Sequence, residues 1–74
     1  MKYLRHEDHL KRLGEKIRQI RESKGISQDE LSFRTELSRN QIGRIERGEI
    51  NVGVSSLFEL ASGLGVEIKI FFEL

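Results

Sequence analysis

The run Ser27-Gln28-Asp29-Glu30-Leu31, followed by Leu37-Ser38-Arg39-Asn40-Gln41-Ile42-Gly43-Arg44-Ile45-Glu46-Arg47-Gly48, decides how this chain folds. Ser27 and Glu30 have the spacing of a capping box, in which the hydroxyl accepts from the Glu30 N–H and the carboxylate reaches back. A short helix should follow, to about Thr35, with Leu31 facing inward. Ser38 has the chemistry of a second N-cap. The next helix should run from Arg39 to about Arg47, with Ile42 and Ile45 inward, and Gly48 fits the residue just past its end. Two short helices joined by a tight turn are the layout of a helix-turn-helix. The second helix then turns Arg39, Asn40, Gln41 and Arg44 outward, where long polar side chains can meet base edges, while its apolar side docks on the first.

Upstream, Leu10, Leu13, Ile17 and Ile20 are spaced by three, four and three, one face of an amphipathic helix from about 8 to 24. Asp8 suits its N-cap, Lys24 its last turn and Gly25 its end. Downstream, residues 49 to 53 read as a loop. Val54, Leu57, Phe58, Leu60, Ala61 and Leu64 form a fourth helix, stopped by Gly65. The period then becomes two: Val66, Ile68, Ile70, Phe72 and Leu74 alternate with Glu67, Lys69, Phe71 and Glu73, which predicts a strand.

A chain of 74 residues makes one domain with a small core. It has no Cys and no long apolar run, so disulfides, thiolate metal sites and a membrane span are not expected, and a cytoplasmic location is. The net charge of +1 hides an asymmetry. Residues 1 to 25 hold eight Lys/Arg against four Asp/Glu, residues 26 to 48 four of each, and residues 49 to 74 only Lys69 against four Glu. A basic front suits a polyanion, although a solvated helical surface would have the same composition.

At Gly25-Ile26-Ser27-Gln28-Asp29-Glu30-Leu31, Leu37-Ser38-Arg39, Ile42 and Arg44-Ile45-Glu46-Arg47-Gly48-Glu49, the sequence resembles the XRE family, the helix-turn-helix domains of phage repressors and Cro proteins. Leu57, Leu60-Ala61 and Leu64-Gly65-Val66 are similar to its fourth helix, so the likeness spans about residues 10 to 66. It implies a lambda-repressor-like, all-α bundle of four helices. It also implies base contacts from Arg39, Asn40 and Arg44, and phosphate contacts from Gln28, Ser38, Gln41 and Arg47. Arg matches guanine O6/N7 and Asn adenine N6/N7. Arg21 and Glu46 correspond to a pair that links the first helix to the end of the third. Two departures stand out: Glu36 occupies the turn where the family has a left-handed Gly, and the strand replaces a fifth helix. Gly43 either allows close approach to DNA or is merely tolerated on an exposed face.

The domain division expected is an N-terminal extension at 1–9, the helix-turn-helix domain at 10–65 and a C-terminal dimerisation strand at 66–74. A lone strand has unpaired backbone groups. Pairing with its own copy would satisfy them and cover Val66, Ile68, Ile70 and Phe72 as the dimer interface. The expected function is therefore a DNA-binding transcriptional regulator, a repressor, acting as a homodimer on an inverted repeat of double-stranded DNA. Two alternatives stay open: an antitoxin that binds both operator and toxin, and an interaction adaptor of the same fold that does not bind DNA. No catalytic arrangement, cofactor or metal site is expected, and His6 and His9 read as polar surface. Phe33 sits where the family is polar, and either folds under Tyr3 and Leu4 or joins an interface.

Overall fold

A computed structural model describes residues 6–74, with the side chain of His6 outside the description. The elements are α1 (His6–Ser23), α2 (Gln28–Phe33), α3 (Arg39–Glu46), α4 (Val54–Leu64) and a terminal 3-10 helix (Ile68–Phe72). Among the described residues there is no strand. Asp8 does not cap α1; it lies in the first turn, where a carboxylate favours the positive helix end. The contact expected of Phe33 with Tyr3 and Leu4 falls outside the described residues; Phe33 itself is 87% exposed.

The core forms where the apolar stripes converge. Leu13 and Ile17 of α1, Leu31 of α2, Ile42 and Ile45 of α3, and Leu57, Leu60, Ala61 and Leu64 of α4 are buried, with Ile26, Leu37 and Phe71 from the connections and the C-terminus. Leu10 and Ile20 lie at the margin, half-buried, and Val54 and Phe58 of α4 face outward.

Helix α1 crosses the end of α3 at two glycines. A Cβ on Gly14 would sit 2.2 Å from the Ile45 carbonyl oxygen and 2.7 Å from that of Glu46. Gly48 closes α3 with φ +71°, and a Cβ there would meet the Lys11 backbone at 2.7 Å. The mid-helix Gly14 costs α1 about 1 kcal/mol of helix propensity, and the close crossing is its return. Gly14→Ala should force the helices apart and destabilise the fold by about 1–3 kcal/mol, checked by urea unfolding. A loss no larger than that of an exposed-site change would mean the crossing is loose.

The expected C-terminal strand is corrected: Ile68–Phe72 coils as a 3-10 helix. Its backbone satisfies itself, Ile70 N–H donating to the Glu67 carbonyl (3.1 Å) and Glu73 N–H to that of Ile70 (3.2 Å). A period near three replaces the period of two. The buried residue is Phe71, at 0% exposure, while Phe72 is 56% exposed and Val66, Ile68 and Ile70 are half-buried. The apolar face expected of Val66, Ile68, Ile70 and Phe72 therefore does not exist as a strand face, and the interchain ribbon built on it falls with it.

Glu36 is also corrected. No non-glycine residue among those described has a positive φ, so the turn needs no left-handed Glu. Its N–H donates to Glu59 Oε1 of α4 at 2.9 Å, which anchors the turn.

Candidate nucleic-acid interface

Local chemistry fixes both helices of the motif. Ser27 Oγ accepts from the Glu30 N–H at 3.0 Å, but the Glu30 carboxylate turns to Arg34 (3.3 Å) instead of reaching back. The complete capping box belongs to α3: Ser38 Oγ accepts from the Gln41 N–H at 3.1 Å, and Gln41 Oε1 accepts from the Ser38 N–H at 2.9 Å. Both Ser38 and Gln41 are thus engaged in starting the helix, and both remain exposed.

The far end of α3 is held by a buried polar network. Arg21 Nε donates to Glu46 Oε2 at 2.6 Å and Nη2 to Oε1 at 2.9 Å, with Arg21 8% and Glu46 6% exposed. Arg21 Nη1 also donates to the Ile26 carbonyl at 2.8 Å, tying α1 to the turn before α2. Gln28 Nε2, at the first position of α2, donates to Glu46 Oε1 at 3.0 Å. One carboxylate therefore fixes α1, α2 and α3 relative to one another. The hydrogen bonds that Arg21 donates to Glu46 push its guanidinium above its ordinary range, against an opposing effect of burial.

Between the start of α2 and α3 lies an open concavity of about 380 Å3 lined by Gln28, Arg39, Asn40, Gly43 and Arg47. The fold thus brings four of the expected contact residues around one depression. Ser38 and Gln41 sit at the helix start and Arg44 further along, outside that lining. Gly43 is buried in α3, which removes the reading of an exposed, tolerated glycine. A Cβ there would press on Arg47 Nη1 at 3.0 Å and touch the Gln28 carboxamide.

Sequence reasoning missed two carboxylates on this face. Asp29 Oδ1 lies 3.2 Å from Arg39 Nε. Glu49 accepts from Arg47 Nε (2.7 Å) and Nη2 (3.4 Å), and its Oε1 is 3.8 Å from Arg44 Nε. The hydrogen bonds from Arg47 hold the Glu49 carboxyl below the usual carboxylate range, so the pairing is lost only as pH falls beneath that range. The signal available in sequence was the short spacing of Arg44, Arg47 and Glu49; nothing local links Asp29 to Arg39. Among the described residues no group of His, Cys, Asp and Glu could hold a metal ion, and no helix is long and apolar enough to cross a membrane.

Two capped helices, the second with polar residues outward and its end locked to the core, define a helix-turn-helix domain. A Helix-turn-helix family model matches residues 17–71, and the chain belongs to this family, the XRE-type DNA-binding transcription regulators. It is 44% identical over 57 residues to control protein C.BamHI of Bacillus amyloliquefaciens, covering 76% of this chain and 70% of the relative. The crystal structure of the restriction-modification controller protein C.AhdI from Aeromonas hydrophila superposes with a TM-score of 0.86 at 35% identity, over 88% of this chain and 98% of that one. The controller protein C.Esp1396I, solved as a tetramer in complex with its natural 35 base-pair operator, is similar at 36% identity and a TM-score of 0.79, over 86% and 84% of the two chains.

Proposed function

We propose that this chain is an operator-binding transcription regulator of the controller type, acting as a homo-oligomer in which α3 reads the major groove. The observation that carries the reading is the Arg21–Glu46–Gln28 network. It aims a short helix so that Arg39, Asn40 and Arg44 stand exposed on a rigid support. Arg39, Asn40 and Arg44 meet base edges, and Gln28, Ser38, Gln41 and Arg47 meet phosphates. Groove occupancy excludes other proteins from the same DNA, so repression is the sign we propose where the operator overlaps a promoter.

Pairing of copies is supported by C.Esp1396I, a tetramer on its operator. It is also supported by an apolar patch on α4 and the segment that follows it, where exposed Phe58 adjoins half-buried Val66 and Ile68. A two-fold pair through one face would place two recognition helices on half-sites about 34 Å apart. The antitoxin alternative is not carried forward.

The test is a mobility-shift titration of the full chain on DNA from upstream of its own gene. A sequence-specific complex is expected. Arg44→Ala and Asn40→Ala should each lose about 1–3 kcal/mol of discrimination at one base pair per half-site. Gln28→Ala should weaken binding to every sequence, since it removes a phosphate contact and a brace on Glu46 together. Unchanged specificity in Arg44→Ala would show that α3 does not enter the groove as proposed.

A further inference from the structure

Both arginines assigned to base reading have a carboxylate oxygen as an ion-pair partner, nearest Nε in each case. Asp29 Oδ1 faces Arg39 Nε at 3.2 Å, and Glu49 Oε1 faces Arg44 Nε at 3.8 Å. A guanidinium carries five N–H donors in a planar fork. A partner at Nε occupies the side of that fork and leaves the end formed by Nη1 and Nη2 free. That free end is the edge that can donate two parallel bonds to guanine O6 and N7.

We propose that Asp29 is a positioning residue for sequence recognition: from α2 it holds Arg39 by Nε and presents the Nη1/Nη2 edge to a guanine. The proposal rests on the reading of α3 as the groove-facing helix and adds a specificity determinant that lies on the other helix of the motif. Asp29 suits the task because it sits in the anchored first turn of α2. Ser27 caps α2, and the neighbouring Gln28 is bonded to Glu46. The pair is two-thirds exposed, at 67% and 65% for the two side chains, so it adds little to stability in the free protein. Against DNA, with water expelled, the same contact strengthens. An unanchored Arg39 would be free to swing to a phosphate, which every sequence offers. A carboxylate beside phosphates lowers affinity for all DNA. Asp29 therefore trades general affinity for discrimination, which gives its removal two effects of opposite sign. Glu49 is the lesser candidate, because its closest bonds go to Arg47 rather than to Arg44.

The experiment uses the full chain and a duplex selected by it from a random library. Companion duplexes carry single base-pair changes, and a random-sequence duplex is the non-specific probe. Arg39→Ala should abolish discrimination at one base pair. Asp29→Asn, which keeps the shape and removes the charge, should lose about fivefold or more of discrimination at that same base pair while binding the random duplex more tightly. In an Arg39→Ala background, Asp29→Asn should cost no further discrimination. A carboxylate serving only the α2 terminus would change the melting temperature and not the base preference. Tighter binding to all duplexes in equal proportion, with discrimination intact, would overturn the proposal while leaving the α3 reading in place. Should Arg39→Ala alter preference at no base pair, that reading itself fails at Arg39, and the role of Asp29 fails with it.

Discussion

Arg21→Met should destabilise the fold by about 3–5 kcal/mol, the range for stranding one charge of a buried pair. The change removes three hydrogen bonds at once, two to Glu46 and one to the Ile26 carbonyl. Glu46, 6% exposed, would keep only the Gln28 carboxamide as a partner. No buried side-chain nitrogen or oxygen among the described residues lacks a hydrogen bond, so the network has no slack to absorb the loss. For a domain of this size each kcal/mol lowers Tm by about 4–8 °C. Thermal or urea unfolding would therefore show a drop of more than about 12 °C, or an unfolded chain. The companion variant Arg21→Met with Glu46→Leu separates the causes. Replacing both charges by apolar groups restores much of the stability, because the penalty comes from the stranded carboxylate. A single-variant loss below about 1 kcal/mol would mean the pair is solvated. The pairing raises the Arg21 guanidinium, so its contribution is full below the ordinary arginine range and lost only above it. No part of the Arg21 contribution should vary between neutral and mildly acidic pH.

Local signals carried the helix-turn-helix. Ser27 and Ser38 both cap helices, Gly25, Gly48 and Gly65 all adopt the left-handed φ that ends them, and the apolar spacing located the core stripes. Each of these is decided within a turn or two of chain, where sequence is informative. Tertiary features were not legible in the same way. The role of Gly14 has no signal in the sequence, because the carbonyls that exclude a Cβ belong to Ile45 and Glu46, some thirty residues away. The Asp29–Arg39 pair joins two helices whose relative placement is set by the core. That Gln28 reaches the end of the recognition helix through Glu46 is visible only in the fold.

The C-terminal segment failed for a different reason. Nine residues with apolar side chains at 66, 68, 70, 71, 72 and 74 fit a period of two or of three almost equally well. Hydrophobic spacing could not choose between them. Backbone accounting could have: a single strand leaves its N–H and C=O groups unpaired, whereas a 3-10 helix bonds them within itself. The unpaired backbone was read as a demand for a second chain, when it argued equally against the strand.

Adjacent phenylalanines decide the matter experimentally. Phe71→Ala should cost about 3–5 kcal/mol, the range for emptying a fully buried aromatic site. Phe71 is 0% exposed and belongs to the cluster that includes Leu13, Ile17 and Leu60. The 3-10 helix packs on both α1 and α4, so the vacated space would lie between two helices and could not close by a simple side-chain shift. Phe72, one residue on and 56% exposed, has little burial to lose, and Phe72→Ala should stay within about 1 kcal/mol. A strand with Ile68, Ile70 and Phe72 inward would reverse that order, because neighbouring side chains in a strand point to opposite faces. Urea unfolding of the two variants, at a concentration where both are in the same oligomeric state, reads the difference directly. Phe72→Ala emerging as the more damaging change would reject the 3-10 packing, and the covering of the core by Phe71 with it.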